Sequence, residues 1–208
     1  MKKRHNVLVW MMTIALALIL SACGTNGNRT VTMADSKNTE TDAAAQKSNL
    51  ADSESDMTEQ NILVAYFSNT GNTEEVAQRI AEDTGGDLAE IQRAEEYNDL
   101  NEEAKKEIDE GEHPEITVSV DDVEDYDVIF VGYPIWWNEA PAMIGTFLSN
   151  YDFSGKTIIP FCTSSSSKID NSLHIFSEIC PDAEIAEGLT ANNLDDIEPW
   201  LQRLGVTK

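Results

Sequence analysis

Two stretches of this chain, Ile62-Leu63-Val64-Ala65-Tyr66-Phe67 and Val128-Ile129-Phe130-Val131, are apolar at every position. A strand with one wet face alternates apolar and polar residues; one without alternation must be buried on both faces. Such strands need helices above and below the sheet, and the sequence supplies them. Strands are expected at Ile62–Phe67, Asp87–Ile91, Asp127–Tyr133, Thr157–Cys162 and around Ala183–Ala186. Between them, helices are expected at Asn72–Asp83, about Asp99–Glu110, Ala142–Leu148, Asn171–Ile179 and Leu194–Leu204. In the first helix Val76, Ala77, Ile80 and Ala81 share one face, Gly85-Gly86 ends it, and Pro141 stands where a helix start tolerates proline. Strand and helix in alternation predict an α/β domain, a parallel sheet covered on both sides. Ligands of such sheets lie beyond the carboxyl ends of the strands, where the strand order switches.

Three segments should meet at that edge. The first strand runs into Ser68-Asn69-Thr70-Gly71-Asn72-Thr73, a turn of hydroxyl, amide and glycine residues that opens a helix. Free backbone N–H groups and the positive end of the helix dipole make such a turn an anion site. It contains no Lys or Arg, unlike a nucleoside-triphosphate loop, so it suits one phosphate monoester held by neutral donors without a metal. The second segment, Gly132-Tyr133-Pro134-Ile135-Trp136-Trp137-Asn138, presents large flat apolar faces. Adjacent tryptophans in an exposed loop are costly unless something covers them, although one or both can pack beneath the loop. The third, Thr163-Ser164-Ser165-Ser166-Ser167, presents small polar donors. A planar aromatic ligand with a phosphate tail satisfies all three.

Ahead of this domain the chain carries an address. Lys2, Lys3 and Arg4 precede a mainly apolar run, Val7 to Leu20, then Ser21-Ala22-Cys23-Gly24. A basic start, a short apolar core and small residues before a cut describe a secretory signal. Leu20-Ser21-Ala22-Cys23 resembles the lipobox of bacterial lipoproteins, which implies cleavage after residue 22 and a lipid on Cys23. Residues 23–59 have no aromatic residue and little aliphatic content, too little apolar surface to offset the entropy of ordering them. They read as a polar, acidic tether; as a random coil it reaches about 30–35 Å.

The domain, 60–208, is the size of one ordinary core-forming unit. It holds eight Lys and Arg against 31 Asp and Glu, most of the chain's net charge of −24. Nucleic acid is excluded as a partner on sign, whereas a basic protein patch is attracted and steered. Cys162 and Cys180 leave two readings open, a disulfide outside the cell or inert buried thiols. His113 and His174 make no metal pattern with them, and no nucleophile–base grouping marks a catalytic centre.

Taken together, Tyr66–Thr73, Tyr126–Trp137 and Gly155–Thr163 resemble the flavodoxins, in the bacterial subgroup with a Gly-Tyr-Pro-Ile-Trp-Trp motif and a short fifth strand. The resemblance spans almost all of 61–205. It implies a flavodoxin-like doubly wound sandwich, a five-stranded parallel sheet in the order 2-1-3-4-5, and bound FMN. Carried over by residue, Ser68, Asn69, Thr70, Gly71, Asn72 and Thr73 hold the FMN phosphate. Pro134, Ile135, Trp136, Trp137 and Asn138 line the isoalloxazine, with Trp136 the stacking ring. Thr163, Ser164, Ser165 and Ser166 meet the flavin edge. The chain departs from the pattern where Ser165 and Ser166 replace glycines, where the third loop lacks a tyrosine, and where Asn138 replaces the Gly after Trp-Trp.

The expected protein is thus a lipid-anchored flavodoxin at the extracytoplasmic face of a bacterial cell membrane. It exchanges electrons with redox proteins that carry basic docking patches. Two alternatives share the fold: an FMN-dependent quinone or flavin oxidoreductase, and a flavin-free binding lipoprotein. No nicotinamide fingerprint is present, which favours a carrier over a dedicated enzyme.

Overall fold

A computed structural model of the chain describes residues 60–208. The expected signal peptide, Cys23 and the expected tether lie outside the described residues. The elements are β1 (Ile62–Tyr66), α1 (Asn72–Thr84), β2 (Asp87–Arg93), α2 (Leu100–Glu110), β3 (Ile116–Val118), β4 (Val128–Pro134), α3 (Ala142–Asn150), β5 (Thr157–Thr163), α4 (His174–Ile179), β6 (Glu184–Ile185), β7 (Leu189–Thr190) and α5 (Ile197–Leu204). Short 3-10 turns at Ile169–Asn171 and Leu194–Asp196 precede α4 and α5, which begin later than the helices expected at Asn171–Ile179 and Leu194–Leu204.

The sheet runs β3-β2-β1-β4-β5-β6, with β7 also on β5. Every pairing is parallel except β2 with β3. The parallel strands alone give the expected order, 2-1-3-4-5, and the fold is flavodoxin-like. Because β1 side chains alternate, Leu63 and Ala65 enter one core while Val64 and Tyr66 enter the other. The first core is closed by Met143, Ile144, Phe147 and Leu148 of α3 and Phe176 of α4; the second by Val76, Ala77 and Ile80 of α1 and Ile197, Trp200 and Leu201 of α5. Each such buried Val, Leu, Ile, Phe or Met side chain contributes about 1.5–3 kcal/mol. Gly132 in β4 has no substitute, because a Cβ there would lie 2.1 Å from the ring of buried Phe161.

Two features depart from expectation. An antiparallel edge strand, β3, joins β2 through Ile91–Val118 and Arg93–Ile116 pairs where the sequence reading assigns no element. The expected fifth strand at Ala183–Ala186 is two short pieces. Ile158 and Cys162 accept from the N–H groups of Ala186 and Ala191, so alternate residues of β5 face this strand. Pro160 belongs to that set and has no N–H to give. The pairing breaks there: β6 serves Thr157 and Ile158, β7 serves Phe161 and Cys162.

Candidate functional site

At the carboxyl edge of β1, β4 and β5, three loops and the segment after β7 enclose a cleft of about 620 Å³. That volume is in the ordinary range for small-molecule sites. Of the residues expected to bind, Thr70 and Asn72, Pro134, Ile135 and Trp136, and Thr163, Ser164 and Ser165 line it. Ser68, Asn69, Gly71, Thr73, Trp137, Asn138 and Ser166 belong to the same loops without lining the cleft. The sequence reading missed Glu75, Val76, Ala191, Asn192 and Leu194, which complete the wall.

The first loop is set by one backbone reversal. Gly71 takes φ 87° immediately before α1, and its N–H donates to Ser68 Oγ at 3.1 Å. The first α1 hydrogen bond runs from Glu75 N–H to Gly71 O at 3.0 Å. The backbone N–H groups of Asn69, Thr70, Asn72, Thr73 and Glu74 have no acceptor among the described residues. Free N–H groups at the positive end of a helix can donate to an anion. Thr73 is buried, and its hydroxyl meets that of Thr163 at 2.9 Å, tying the first loop to the third. Glu75 is the one charged side chain lining the cleft, and no Lys or Arg reaches it.

The second loop is a tight hairpin. Trp136 and Glu139 exchange backbone hydrogen bonds at 2.9 and 2.8 Å across Trp137 (φ 49°) and Asn138 (φ 72°). Two successive left-handed residues make a type I′ turn. Asn tolerates that conformation, so Asn138 serves where glycine is usual; a tryptophan there is strained. Ser167 Oγ donates to Asn138 Oδ1 at 2.6 Å and fastens the tip. Trp136 packs edge-on against Phe67 at 5.4 Å and Tyr97 at 6.3 Å. Tyr97 donates to Glu107 at 2.8 Å under the Arg93 guanidinium, 4.6 Å from its ring; burial, then the Glu107 bond, pushes its phenol up. Arg93 also donates to buried Glu107 at 3.1 Å, so Trp136 stands on a neutralised, fixed base. Trp137 points elsewhere and is 43% exposed.

In the third loop no residue has a positive φ, so Ser165 and Ser166 do without glycine. Beneath it Cys162 is buried and free, its thiol pushed up to about 11 by burial; Cys180 is also buried and free. Both are inert thiols in this structure. Among the described residues, no group of three or more His, Cys, Asp or Glu could hold a metal ion.

The flavodoxin family matches residues 61–204. The chain belongs to the flavodoxin family. A flavoprotein structure from Bacteroides eggerthii is 36% identical, at TM-score 0.65, over 71% of this chain and 99% of that one. One from Bacteroides uniformis is 34% identical, at TM-score 0.63, over 69% and 98%. A flavoprotein from Lactobacillus acidophilus, in complex with FMN, is 23% identical at TM-score 0.57, over 68% and 98%, and shares the fold. No curated protein matches the chain. In this flavodoxin-family domain the cleft therefore sits at the switch point between β1 and β4, where β2 and β5 lead away on opposite sides.

Proposed function

We propose that this protein is a lipid-anchored flavodoxin that binds FMN and transfers electrons at the extracytoplasmic face of a bacterial cell membrane. The single observation that carries the reading is one cleft joining a cation-free loop of unspent N–H groups to a braced tryptophan. The donor set fits FMN: first-loop N–H groups and the Thr70 hydroxyl for the phosphate, Trp136 for the ring, and Ser164 and Ser165 for its polar edge. When bound, FMN supplies the electron-transfer chemistry; the protein binds it and tunes it. Trp136 would cover one ring face, and neutral donors would meet the other groups, with Glu75 the one charge at the cleft.

The surface favours basic redox partners. A domain carrying about −23 attracts cationic surfaces and raises encounter rates. Trp137, strained and exposed beside the cleft, offers such a partner a flat contact, and guanidinium groups stack on indole. The lipid anchor rests on Leu20–Cys23.

Purified full-length protein should be yellow and release FMN on denaturation. Its midpoint potential should lie below that of free FMN, because reduction adds negative charge beside Glu75 with no cation in the cleft. The gap should narrow with salt, as the Debye length falls from about 30 Å at 0.01 M to about 3 Å at 1 M. A colourless protein that takes up no added FMN refutes flavin binding; steady NADPH oxidation moves the reading from carrier to reductase. Cys23→Ala should leave the membrane fraction, and fatty-acid labelling that persists in this variant refutes the anchor.

A further inference from the structure

The third loop of the cleft is made almost wholly of serine, yet its backbone N–H donors are spent but for one. Ser164 Oγ accepts from the N–H groups of Ser166 at 3.3 Å and Ser167 at 2.9 Å. Ser164 itself is held by Asn192, from the segment after β7. Asn192 Oδ1 accepts from Ser164 N–H at 2.9 Å, and Asn192 Nδ2 donates to Ser164 O at 2.6 Å. Only one orientation of the amide satisfies both bonds. The backbone of Asn192 is itself fixed, its N–H on Thr190 O at 3.2 Å. The last pairing of β5 with β7 is Cys162 with Thr190. The Asn192 side chain thus continues the ladder beyond the sheet, acting on Ser164 as one more strand residue would.

We propose that Asn192 is a positioning residue of the cleft: by clamping the Ser164 peptide it fixes Ser165, the loop residue whose N–H is left to meet a flavin's polar edge. The inference rests on the flavin reading above. Of the N–H groups of Ser164, Ser165, Ser166 and Ser167, only that of Ser165 has no acceptor among the described residues. Both Ser165 and Asn192 line the cleft. Without the clamp, Ser164 N–H and C=O lose their partners and turn to water, and the wall that carries Ser165 is no longer set before binding. Preorganisation of this kind shows in affinity because ordering the loop is then charged to the ligand. The third loop has no positive φ, so no left-handed residue sets its shape; the bonds to Ser164 Oγ and the Asn192 clamp do.

The test uses the full-length protein with Asn192→Leu, which removes both bonds, and Asn192→Asp, which keeps the acceptor and loses the donor. FMN and riboflavin are titrated against each, the absorption bands of the bound flavin are compared, and Ser164 amide exchange is followed in the flavin-free protein. Asn192→Leu should weaken both flavins alike, about tenfold, equivalent to about 1.4 kcal/mol. It should also shift the bound-flavin bands and speed Ser164 exchange. Asn192→Asp sets a carboxylate oxygen against the Ser164 carbonyl, so it too should weaken riboflavin, whose binding is free of the added charge's repulsion of the phosphate, and it decides the matter if Asn192→Leu does not fold. Unchanged flavin affinity and unchanged bands, even with a lowered melting temperature, would make Asn192 merely structural and overturn the inference. A loss for FMN without one for riboflavin would place it at the phosphate and overturn it too. If wild type takes up neither flavin, the flavin reading fails on that arm, and unchanged Ser164 exchange in the variants separately removes the clamp.

Discussion

The first and third loops of the cleft are alike in composition and opposite in physics. Each succeeds a buried parallel strand, and each is built from small hydroxyl residues. The first loop keeps its backbone N–H groups free, because a left-handed Gly71 turns the chain into α1 without consuming them. The third loop spends its N–H groups, all but that of Ser165, on Ser164 Oγ and Asn192, and it leads only into a 3-10 turn. In the proposed reading one is a donor site for a charged group, and the other is a shaped wall. Serine and threonine content does not tell them apart. The count of unspent donors does, together with the element that each loop opens: a 13-residue helix with its dipole, or a single turn.

The largest expected effect would break that comparison outright. If the first loop is the charged-group site, Thr70→Val should weaken FMN by about 1.5–3 kcal/mol, the contribution of a hydrogen bond to a charged group. Riboflavin, which lacks the phosphate, should bind the variant as it binds wild type. Ser165→Ala in the third loop should show no such preference. Isothermal titration of both flavins against both variants reads it directly, and equal FMN and riboflavin losses in Thr70→Val would remove the phosphate from the first loop.

A smaller effect concerns backbone shape. An Ala side chain at Gly71 would meet no atom within 4 Å, so sterics with neighbours do not oppose it. The cost is that of φ 87° alone, about 1–2 kcal/mol for an L-residue held left-handed. Gly71→Ala should therefore lower unfolding stability in urea by that amount, while Ser165→Gly, in a loop without positive φ, should not raise it. Gly71→Ala at wild-type stability would mean that the turn is not held as described.

The legibility of the sequence divides in the same way, between local and distant causes. The strands β1 and β4, the helix start at Asn72, the glycine at 71 and the tryptophan wall are all local, written in runs and turns a few residues long. The Asn138 departure is also local, since an Asn suits the left-handed turn that it occupies. The edge strand β3 has a β-branched signal in Ile116-Thr117-Val118, but three residues do not distinguish a strand from a loop. The split of the fifth strand is caused by Pro160 in its neighbour, a residue that reads as an ordinary member of β5 until the pairing is known. Asn192 and Glu75 reach the cleft through tertiary placement, and no motif carries them. Thr73 reads as a phosphate ligand from its loop, yet its hydroxyl has a partner 90 residues away.

That partner gives the smallest and most specific prediction. The bond between Thr73 and Thr163 hydroxyls, at 2.9 Å, is the one direct side-chain hydrogen bond between the two loops among the described residues. Thr73 is 1% exposed. Replacing either residue by Val keeps the shape and leaves the other hydroxyl short of a partner, in a buried place for Thr73 and a half-buried one for Thr163, which is destabilising. Replacing both removes the need on each side. The double variant should therefore be more stable than the sum of the singles allows, with a coupling of about 0.5–1.5 kcal/mol. Urea unfolding of the flavin-free proteins measures the cycle. The same cycle in FMN affinity sharpens the comparison of the loops: a coupling there means that the donor loop and the wall bind as one unit, whereas strictly additive losses in both measurements mean that the two loops act separately and that the bridge is a contact without consequence.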